Sequence, residues 1–162
     1  MYKRQLLTAL IAASVINIFK ETLEQVIFLA VLMPIIASMG GVAATQTLTI
    51  TVRGLALGQI VRANYLYIFN RELMVGISNG FIWAVILSLI ACSWFQDWLL
   101  AWVICLSMII NLIAGVLSGM GIPILLKGLK MDPAVAGSVI VTTVTDVIGF
   151  FSFLGLAAYF YS

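Results

Sequence analysis

The sequence predicts an all-α integral membrane protein with five transmembrane helices. Of its 162 residues, 64% are hydrophobic and only 9% are charged, whereas about a quarter of the residues in soluble domains are charged. The mean hydropathy is +1.20. A helix needs about 20 apolar residues to cross a bilayer core of about 30 Å, so this length accommodates five spans with short connections and no soluble domain.

The composition also excludes several classes of function. The formal net charge of +2 comes from basic residues that are scattered singly, and nucleic-acid binding requires a basic stripe or patch. The chain has no histidine, and its two cysteines, Cys92 and Cys105, lie in apolar segments, where a thiol behaves as a small hydrophobe. We therefore expect neither a Cys–His metal site nor a disulfide.

The first predicted helix covers about residues 5–24. Lys3 and Arg4 precede the apolar stretch Leu6–Ile16, an arrangement shared with secretory signal peptides. We favour a membrane span, because the cleavage pattern is poor and a second hydrophobic segment follows almost at once. The segment is short for a span, so its helix is expected to continue into the polar cluster at 20–25.

The second predicted helix covers about residues 26–58 and is expected to be broken near 34–41. As one straight helix it would be about 50 Å long, which exceeds the bilayer core of about 30 Å. Pro34 and the pair Gly40-Gly41 mark the break, since proline lacks a backbone donor and glycine relaxes the backbone.

Small and hydroxylated residues surround and follow this predicted break. Irregular backbone inside a membrane has to face protein or a water-filled cavity. We therefore expect Gly40, Gly41, Thr45 and Gln46 to line a cavity. The alternative, which the local sequence leaves open, is that these residues only allow helices to pack closely.

The other three predicted helices cover about residues 72–95, 98–127 and 133–161. Three tryptophans cluster around Asp97, as in the aromatic belt at a membrane interface. Asp132-Pro133 is a typical helix start, because aspartate can cap a helix and proline fits its first turn. Single asparagines in apolar segments are expected to form interhelical hydrogen bonds. They are Asn17, Asn79 and Asn111.

The basic residues predict the orientation of the chain. Five spans place the termini on opposite sides, and a cytoplasmic N-terminus puts seven of the eight basic residues inside. These are Lys3, Arg4, Arg53, Arg62, Arg71, Lys127 and Lys130. The positive-inside rule therefore favours a multi-pass plasma-membrane protein with a cytoplasmic N-terminus and an external C-terminus.

The most informative single residue is Asp146, in the middle of the last apolar segment. A carboxylate at mid-bilayer depth costs about 2.5–3.5 kcal/mol and by default marks an ion or proton pathway. Ser138, Thr142 and Asp146 share one helix face, and Thr143 beside it is expected to line the same pathway. Such hard oxygen donors suit magnesium, calcium or manganese. The alternative is a structural aspartate that caps or bonds a neighbouring helix.

One carboxylate per chain is too few to dehydrate a divalent cation. Magnesium keeps several waters and is commonly held by one or two carboxylates. A homodimer with two copies of Asp146 near a shared axis would supply both, and a bound dication would relieve their repulsion. We also expect Glu24, near the outer mouth, to attract cations, with a solvated loop charge as the alternative.

The chain also contains an ordered set of motifs. They are Glu24, Pro34, Gly40-Gly41, Gln46, Arg53-Gly54-Leu55-Ala56, Asp132-Pro133-Ala134 and Thr142-Thr143-Val144-Thr145-Asp146-Val147-Ile148-Gly149. This order resembles the transmembrane domain of the MgtE family of magnesium transporters and channels. The resemblance covers nearly the whole chain, and the segment ending at Gly149 is its most specific part.

The resemblance implies a five-helix domain that dimerises around a central cation pore lined by the second and fifth helices. It also implies that Asp146 holds a largely hydrated Mg²⁺ ion. Family members usually carry cytoplasmic regulatory domains that close the pore when internal magnesium is high. We expect residues 1–162 to be the pore domain alone, either a separated part of a longer protein or a natural short member, with separate regulatory domains as partners.

The chain departs from the family pattern at two places. Gly40–Gln46 has Val42 and Ala44 where the family commonly has asparagine and a third glycine. Ser138-Val139 replaces an asparagine-proline pair that often precedes the aspartate. Both replacements reduce the polar lining, so we expect ion selectivity or rate to differ from those of a typical member.

The function expected from these features is a passive pathway for divalent cations, Mg²⁺ first, with Mn²⁺ or Ca²⁺ as alternatives. A dication gains about 4.6 kcal/mol on moving inward across 100 mV, so no fuel is required. A proton- or sodium-coupled cation carrier and a helix-packing subunit are the alternatives from other classes. An enzyme is not expected, because an intramembrane aspartyl protease needs two carboxylates that share a proton.

Overall fold

The regular secondary structure of the protein is α-helical throughout the residues that the computed structural model describes, 2–61 and 63–161. The helices are α1 (Tyr2–Ile18), α2 (Lys20–Gln25), α3 (Phe28–Ala56), α4 (Tyr65–Phe95), α5 (Trp98–Gly128) and α6 (Pro133–Tyr161). Helices satisfy their own backbone groups, as lipid requires. Arg62, used above for the orientation, lies outside the described residues, as do the side chains of Lys3 and Arg4.

Among the described residues, four helices are long and apolar enough to cross a membrane: α3, α4, α5 and the part of α6 from Gly137 to Tyr161. The prediction of an all-α membrane protein is confirmed. The apolar part of α1, Gln5–Ile18, is shorter than a full span, and α1 packs along α6.

The first predicted helix, 5–24, is two helices. It is interrupted at Phe19, where α1 ends and the polar helix α2 begins. The Phe19 ring packs edge-on against Phe151 of α6, with ring centroids 5.6 Å apart. A Cβ atom on Gly155 would lie 3.7 Å from the same ring. The interruption therefore coincides with an aromatic contact to α6.

The predicted break of the second helix near 34–41 is wrong, because α3 is continuous from Phe28 to Ala56. Pro34 lies on an exposed face in the second turn of α3, where its missing N–H deprives a single carbonyl of its partner. Gly40 is buried against Asn111 of α5. This glycine allows close helix packing, and the helix does not end there.

The remaining boundaries are closer to the prediction. Helix α4 begins at Tyr65, several residues before the predicted 72, whereas α5 and α6 begin at the predicted residues. In the loop before α4, Asn64 accepts a hydrogen bond from the backbone N–H of Val61 at 2.9 Å and donates one to the Gln59 carbonyl at 2.7 Å. These bonds close the loop ahead of the helix.

Helix α5 lies at the centre of the bundle and packs against α3, α4 and α6. Its buried residues join those of its neighbours in one apolar core. The fully or nearly fully buried members include Leu29, Leu32 and Ile36 of α3, Ala84 and Ala91 of α4, Leu100, Val103, Ile104 and Met108 of α5, and Phe153, Leu154 and Ala157 of α6. The three neighbouring helices are thus positioned by their contacts with α5.

One end of the bundle, called here the aromatic end, holds the α4–α5 turn and the end of α6. Asp97 caps α5 by accepting hydrogen bonds from the backbone N–H groups of Leu99 at 2.8 Å and Leu100 at 3.2 Å. The Tyr161 hydroxyl donates to the same carboxylate. Phe28 and Phe95 pack with ring centroids 4.5 Å apart. The contact between Tyr161 and Asp97 therefore holds the end of α6 against the α4–α5 turn.

The opposite end, called here the basic end, holds the loops after α3 and α5. Arg53, Lys127 and Lys130 lie there with exposed side chains. The Lys127 ammonium donates to the Leu55 carbonyl at 3.0 Å, and Leu55 lies in the last turn of α3. A cation at this position satisfies a helix-terminal carbonyl and complements the negative end of the helix dipole.

We expect Asp97→Ala to lower the thermal stability of the protein in detergent micelles. Loss of an N-cap costs about 0.5–2 kcal/mol, and the Tyr161 hydroxyl also loses its acceptor. Tyr161→Phe should cost less, because the cap remains. The matched control is Asp132→Ala, which removes the corresponding cap of α6, a bond from the Ala134 N–H to this exposed aspartate, and leaves the Tyr161 contact in place. Equal unfolding midpoints for the two alanine variants would contradict the anchoring role of Asp97.

Candidate functional site

Asp146 lies halfway along α6, about 20 Å from Pro133 at 1.5 Å per residue. Its side chain is half-buried. Within the described parts of the chain its carboxylate receives no hydrogen bond and forms no ion pair; the ion pair present there joins Lys20 to Glu24. The alternative of an aspartate bonded to a neighbouring helix therefore finds no partner in this structure.

The hydroxyl groups around Asp146 donate to their own helix. Thr142 donates to the Ser138 carbonyl at 2.9 Å, Thr143 to the Val139 carbonyl at 2.6 Å and Thr145 to the Thr142 carbonyl at 2.9 Å. Because each hydroxyl proton is already used, these side chains offer their oxygen lone pairs as acceptors. Such oxygens suit a metal ion or the waters around one. Ser138 itself is exposed, two turns before Asp146.

Helix α3 repeats this arrangement. Thr45 donates to the Gly41 carbonyl at 2.9 Å and Thr49 to the Thr45 carbonyl at 2.8 Å. Thr45, Gln46, Thr49 and Ile50 line an open cleft of about 440 Å³. Thr45 and Gln46, predicted to line a cavity, thus lie on a cleft of their own helix.

Helices α3 and α6 pack side by side along the segment that carries Asp146. A Cβ atom on Gly41 would lie 3.9 Å from the Thr145 hydroxyl, and one on Gly137 would lie 3.0 Å from Leu48. The fold therefore brings the Gly40-Gly41 pair to the residue beside Asp146. The two glycines lie in the helix contact and do not line the cleft.

Asn111 is buried where α3, α5 and α6 meet, and its exposed fraction is 0%. Its Nδ2 donates to the Ile36 carbonyl at 2.8 Å. Cβ atoms on Gly40 and Gly149 would lie 2.2 and 2.7 Å from Nδ2. The expected interhelical hydrogen bond is thus present for Asn111, whereas Asn17 and Asn79 are exposed. The sequence does not reveal that two glycines make room for this side chain, because they are distant along the chain.

Glu24, expected at the outer mouth, is 66% exposed in its side chain and lies 3.5 Å from the Lys20 ammonium. Beside it, a polar cleft of about 190 Å³ at the aromatic end is lined by Glu21, Thr22, Gln25, Ala158 and Tyr161. Glu24 is not among these lining residues. Its role at a mouth stays a prediction.

A further carboxylate, Glu72, was not singled out from the sequence. It lines a cleft of about 90 Å³ between α3, α4 and α5 together with Gln46, Thr47 and Asn79. The available signal was a charged residue within the apolar run of α4. No group of three or more His, Cys, Asp or Glu side chains with metal-site geometry occurs in the described residues. Within the described part of one chain, Asp146 is therefore not a member of such a group.

Comparisons with known proteins show the family of the chain. A family model described as "MgtE: Divalent cation transporter" matches residues 33–156. The chain is 34% identical over 155 residues to the magnesium transporter MgtE of Bacillus subtilis, covering 96% of this chain and 34% of that protein.

Two more curated relatives carry the same name. The protein of Enterococcus faecalis is 28% identical, covering 91% of this chain and 33% of the relative. That of Thermus thermophilus is 29% identical, covering 94% of this chain and 34% of the relative. The chain thus spans about a third of the length of these relatives.

The two adjacent glycines of α3 should respond differently to alanine. Gly40→Ala places a methyl group against the buried Asn111 amide and should destabilise the protein by about 1–3 kcal/mol through overpacking. Gly41→Ala meets only an ordinary contact and should be neutral or slightly stabilising, because alanine favours a helix over glycine. Thermal unfolding of both variants measures this difference. A less stable Gly41→Ala variant would contradict the packing described here.

Proposed function

Because the chain belongs to the MgtE family of divalent cation transporters, we propose that it forms a passive pathway for hydrated Mg²⁺, with Asp146 as its central binding residue. The observation that carries the proposal is the carboxylate of Asp146, which has no hydrogen-bond or ion-pair partner among the described residues, halfway along a membrane-spanning helix. The family match at 33–156 includes this residue. A charge held at that depth without a partner is costly, so a bound cation would recover part of the cost.

The surroundings of Asp146 support a hydrated ion. Magnesium gives up its waters reluctantly and is bound through one or two carboxylates with several waters retained. The hydroxyl oxygens of Thr142 and Thr143 can accept hydrogen bonds from those waters, and Ser138 extends the same face. These oxygen donors also accept Mn²⁺ and Ca²⁺, which we therefore include as alternative ions.

We further propose that two copies of the chain form the pathway. One chain offers a single carboxylate at this level, whereas two copies of Asp146 around one axis would share a hydrated dication. The cleft on α3 formed by Thr45, Gln46, Thr49 and Ile50 is open in the single chain, as expected of a surface that faces a second copy. In this arrangement α3 and α6 of both copies line the pathway.

The basic end supports the orientation that we propose. Exposed Arg53, Arg71, Lys127 and Lys130 lie on one side of the bundle, which we place in the cytoplasm. Helix α1 would then be a fifth, short span with the N-terminus inside, and the external C-terminus and Glu24 would lie at the aromatic end. Separate regulatory domains remain an expectation from the family resemblance.

Asp146→Asn should abolish Mg²⁺ entry into liposomes that contain a magnesium-sensitive dye, with a negative interior potential as the driving force. The amide removes the charge but keeps the size of the side chain. The matched control is Asp97→Asn at the aromatic end, because asparagine also caps helices and the flux should persist. Unchanged flux in Asp146→Asn would overturn the proposal. Flux that follows a proton or sodium gradient at fixed voltage would indicate a coupled carrier instead.

The proposed dimer predicts that thiols placed beside Asp146 cross-link between copies. In a Cys92→Ala/Cys105→Ala background, Thr142→Cys should give a covalent dimer with a short bifunctional thiol reagent in liposomes. Phe81→Cys on the exposed face of α4 serves as the control and should stay monomeric. Cross-linking through Phe81→Cys with none through Thr142→Cys would place the contact elsewhere.

A further inference from the structure

Only one of the two polar atoms of the Asn111 carboxamide forms a hydrogen bond to the described residues. Its Nδ2 donates to the Ile36 carbonyl at 2.8 Å, while its Oδ1 is buried and has no hydrogen-bond partner among the described residues. A buried acceptor without a partner costs about 1–3 kcal/mol. The unused oxygen therefore requires an explanation.

The position of this carboxamide is tightly defined. A Cβ atom on Gly40 would lie 2.2 Å from Nδ2 and 2.6 Å from Oδ1, and a Cβ atom on Gly149 would lie 2.7 Å from Nδ2. The amide thus lies directly against the backbones of α3 and α6. Both of its polar atoms are close to Gly40, the residue whose N–H pairs with Ile36 in a continuous helix.

The chemistry of the amide matches the bond beside it. In an α-helix the Ile36 carbonyl accepts a hydrogen bond from the N–H of Gly40, so the Asn111 Nδ2 is a second donor to that carbonyl. An asparagine side chain carries both a donor and an acceptor, like a peptide group. It can therefore replace the backbone hydrogen bond between these two residues. Its Nδ2 would continue to donate to the Ile36 carbonyl, and its Oδ1 would accept a hydrogen bond from the Gly40 N–H.

The segment of α3 next to this amide is suited to bending. Pro34 has no N–H, so the Ala30 carbonyl lacks its helical partner. Gly40 and Gly41 follow, and helix kinks occur at proline, at glycine pairs and where a side chain inserts into the hydrogen-bond ladder. In lipid, an opened turn normally leaves backbone groups unsatisfied at high cost. The amide of Asn111 removes that cost at one turn.

We infer that Asn111 is a positioning residue that stabilises a second, bent conformation of α3 by inserting its carboxamide between the Ile36 carbonyl and the Gly40 N–H. Gly149 contacts the same amide from α6, one turn after Asp146. A bend in α3 is therefore coupled to the segment that carries Asp146. The consequence for cation flux rests on the proposed function, whereas the bend itself does not.

The test measures distances between spin labels by pulsed electron paramagnetic resonance on the chain in liposomes, with Cys92 and Cys105 replaced by alanine. The labelled chain is diluted with an excess of unlabelled chain, so that distances between two copies do not contribute. One pair, at Ile50 and Leu125, joins the basic half of α3 to α5; the other, at Val31 and Leu89, joins its aromatic half to α4. All four positions are exposed. A bent α3 rotates one half against the other, so one pair should show two distances and the other pair one.

Asn111→Leu should abolish the second distance and reduce Mg²⁺ flux at least tenfold without changing the half-saturating Mg²⁺ concentration. Leucine is similar in size but cannot bond the backbone. Asn111→Ser, which keeps one donor and one acceptor without overpacking, should retain part of the second population. Asn17→Leu on the exposed face of α1 is the control and should match the unmodified chain.

Several outcomes would overturn the inference. A single distance for both pairs in the unmodified chain would show that α3 does not bend. An unchanged or broader distance distribution in both Asn111→Leu and Asn111→Ser would show that the amide only packs.

Asp146→Asn should retain both distances, because the bend needs no carboxylate. Loss of the second distance there would also contradict the inference, whereas flux without Asp146 would overturn only the proposed function.

Discussion

Inside a bilayer, every backbone N–H and C=O has to find its partner within the protein. This constraint explains why the helices of the chain are continuous and why its polar side chains form hydrogen bonds to backbone groups. The threonines of α3 and α6 donate to carbonyls of their own helix. Asp97 and Lys127 satisfy helix-terminal groups at opposite ends of the bundle. Among the described residues, the buried side-chain polar atoms that stay unpaired are the Ser88 hydroxyl oxygen and the Asn111 Oδ1.

Close packing around α5 follows from the same environment, in which helices associate through small residues and interhelical hydrogen bonds. Cβ atoms on Gly115 and Gly119 of α5 would lie 2.8 Å from the Gly40 carbonyl oxygen and 2.5 Å from that of Ala44. The α3 and α5 backbones are thus in direct contact, while α6 reaches the same junction through Gly149. The Asn111 Oδ1 atom, which has no partner among the described residues, lies in this junction, and Asp146 lies one turn before Gly149 on α6. The two residues for which we propose roles are therefore ones with polar atoms that have no hydrogen-bond partner among the described residues.

Much of the fold could be predicted because membrane spans depend on local composition. The starts of α5 and α6 follow from Asp97 and from Asp132-Pro133, whose capping chemistry acts within a few residues. The predicted break in α3 is wrong because a contact between distant segments, and not local composition, explains the glycine there. Pro34 and Gly40 look alike as local helix breakers, but Gly40 faces a side chain of α5, and its lack of a Cβ atom serves that contact.

The candidate site, like the fold, could be predicted from the sequence only in part. Asp146 could be found from the sequence, since a carboxylate within an apolar run is costly whatever surrounds it, and the spacing of Ser138 and Thr142 follows from helix periodicity. The sequence by itself thus determined the fold class, the membrane environment and the residue most suited to a cation. Only the tertiary structure decided that Gly40, Asn111 and Gly149 meet at one point, that α3 runs unbroken past it, and that the amide oxygen there has no partner among the described residues. These facts depend on contacts between distant segments, and local patterns do not encode which helix faces which.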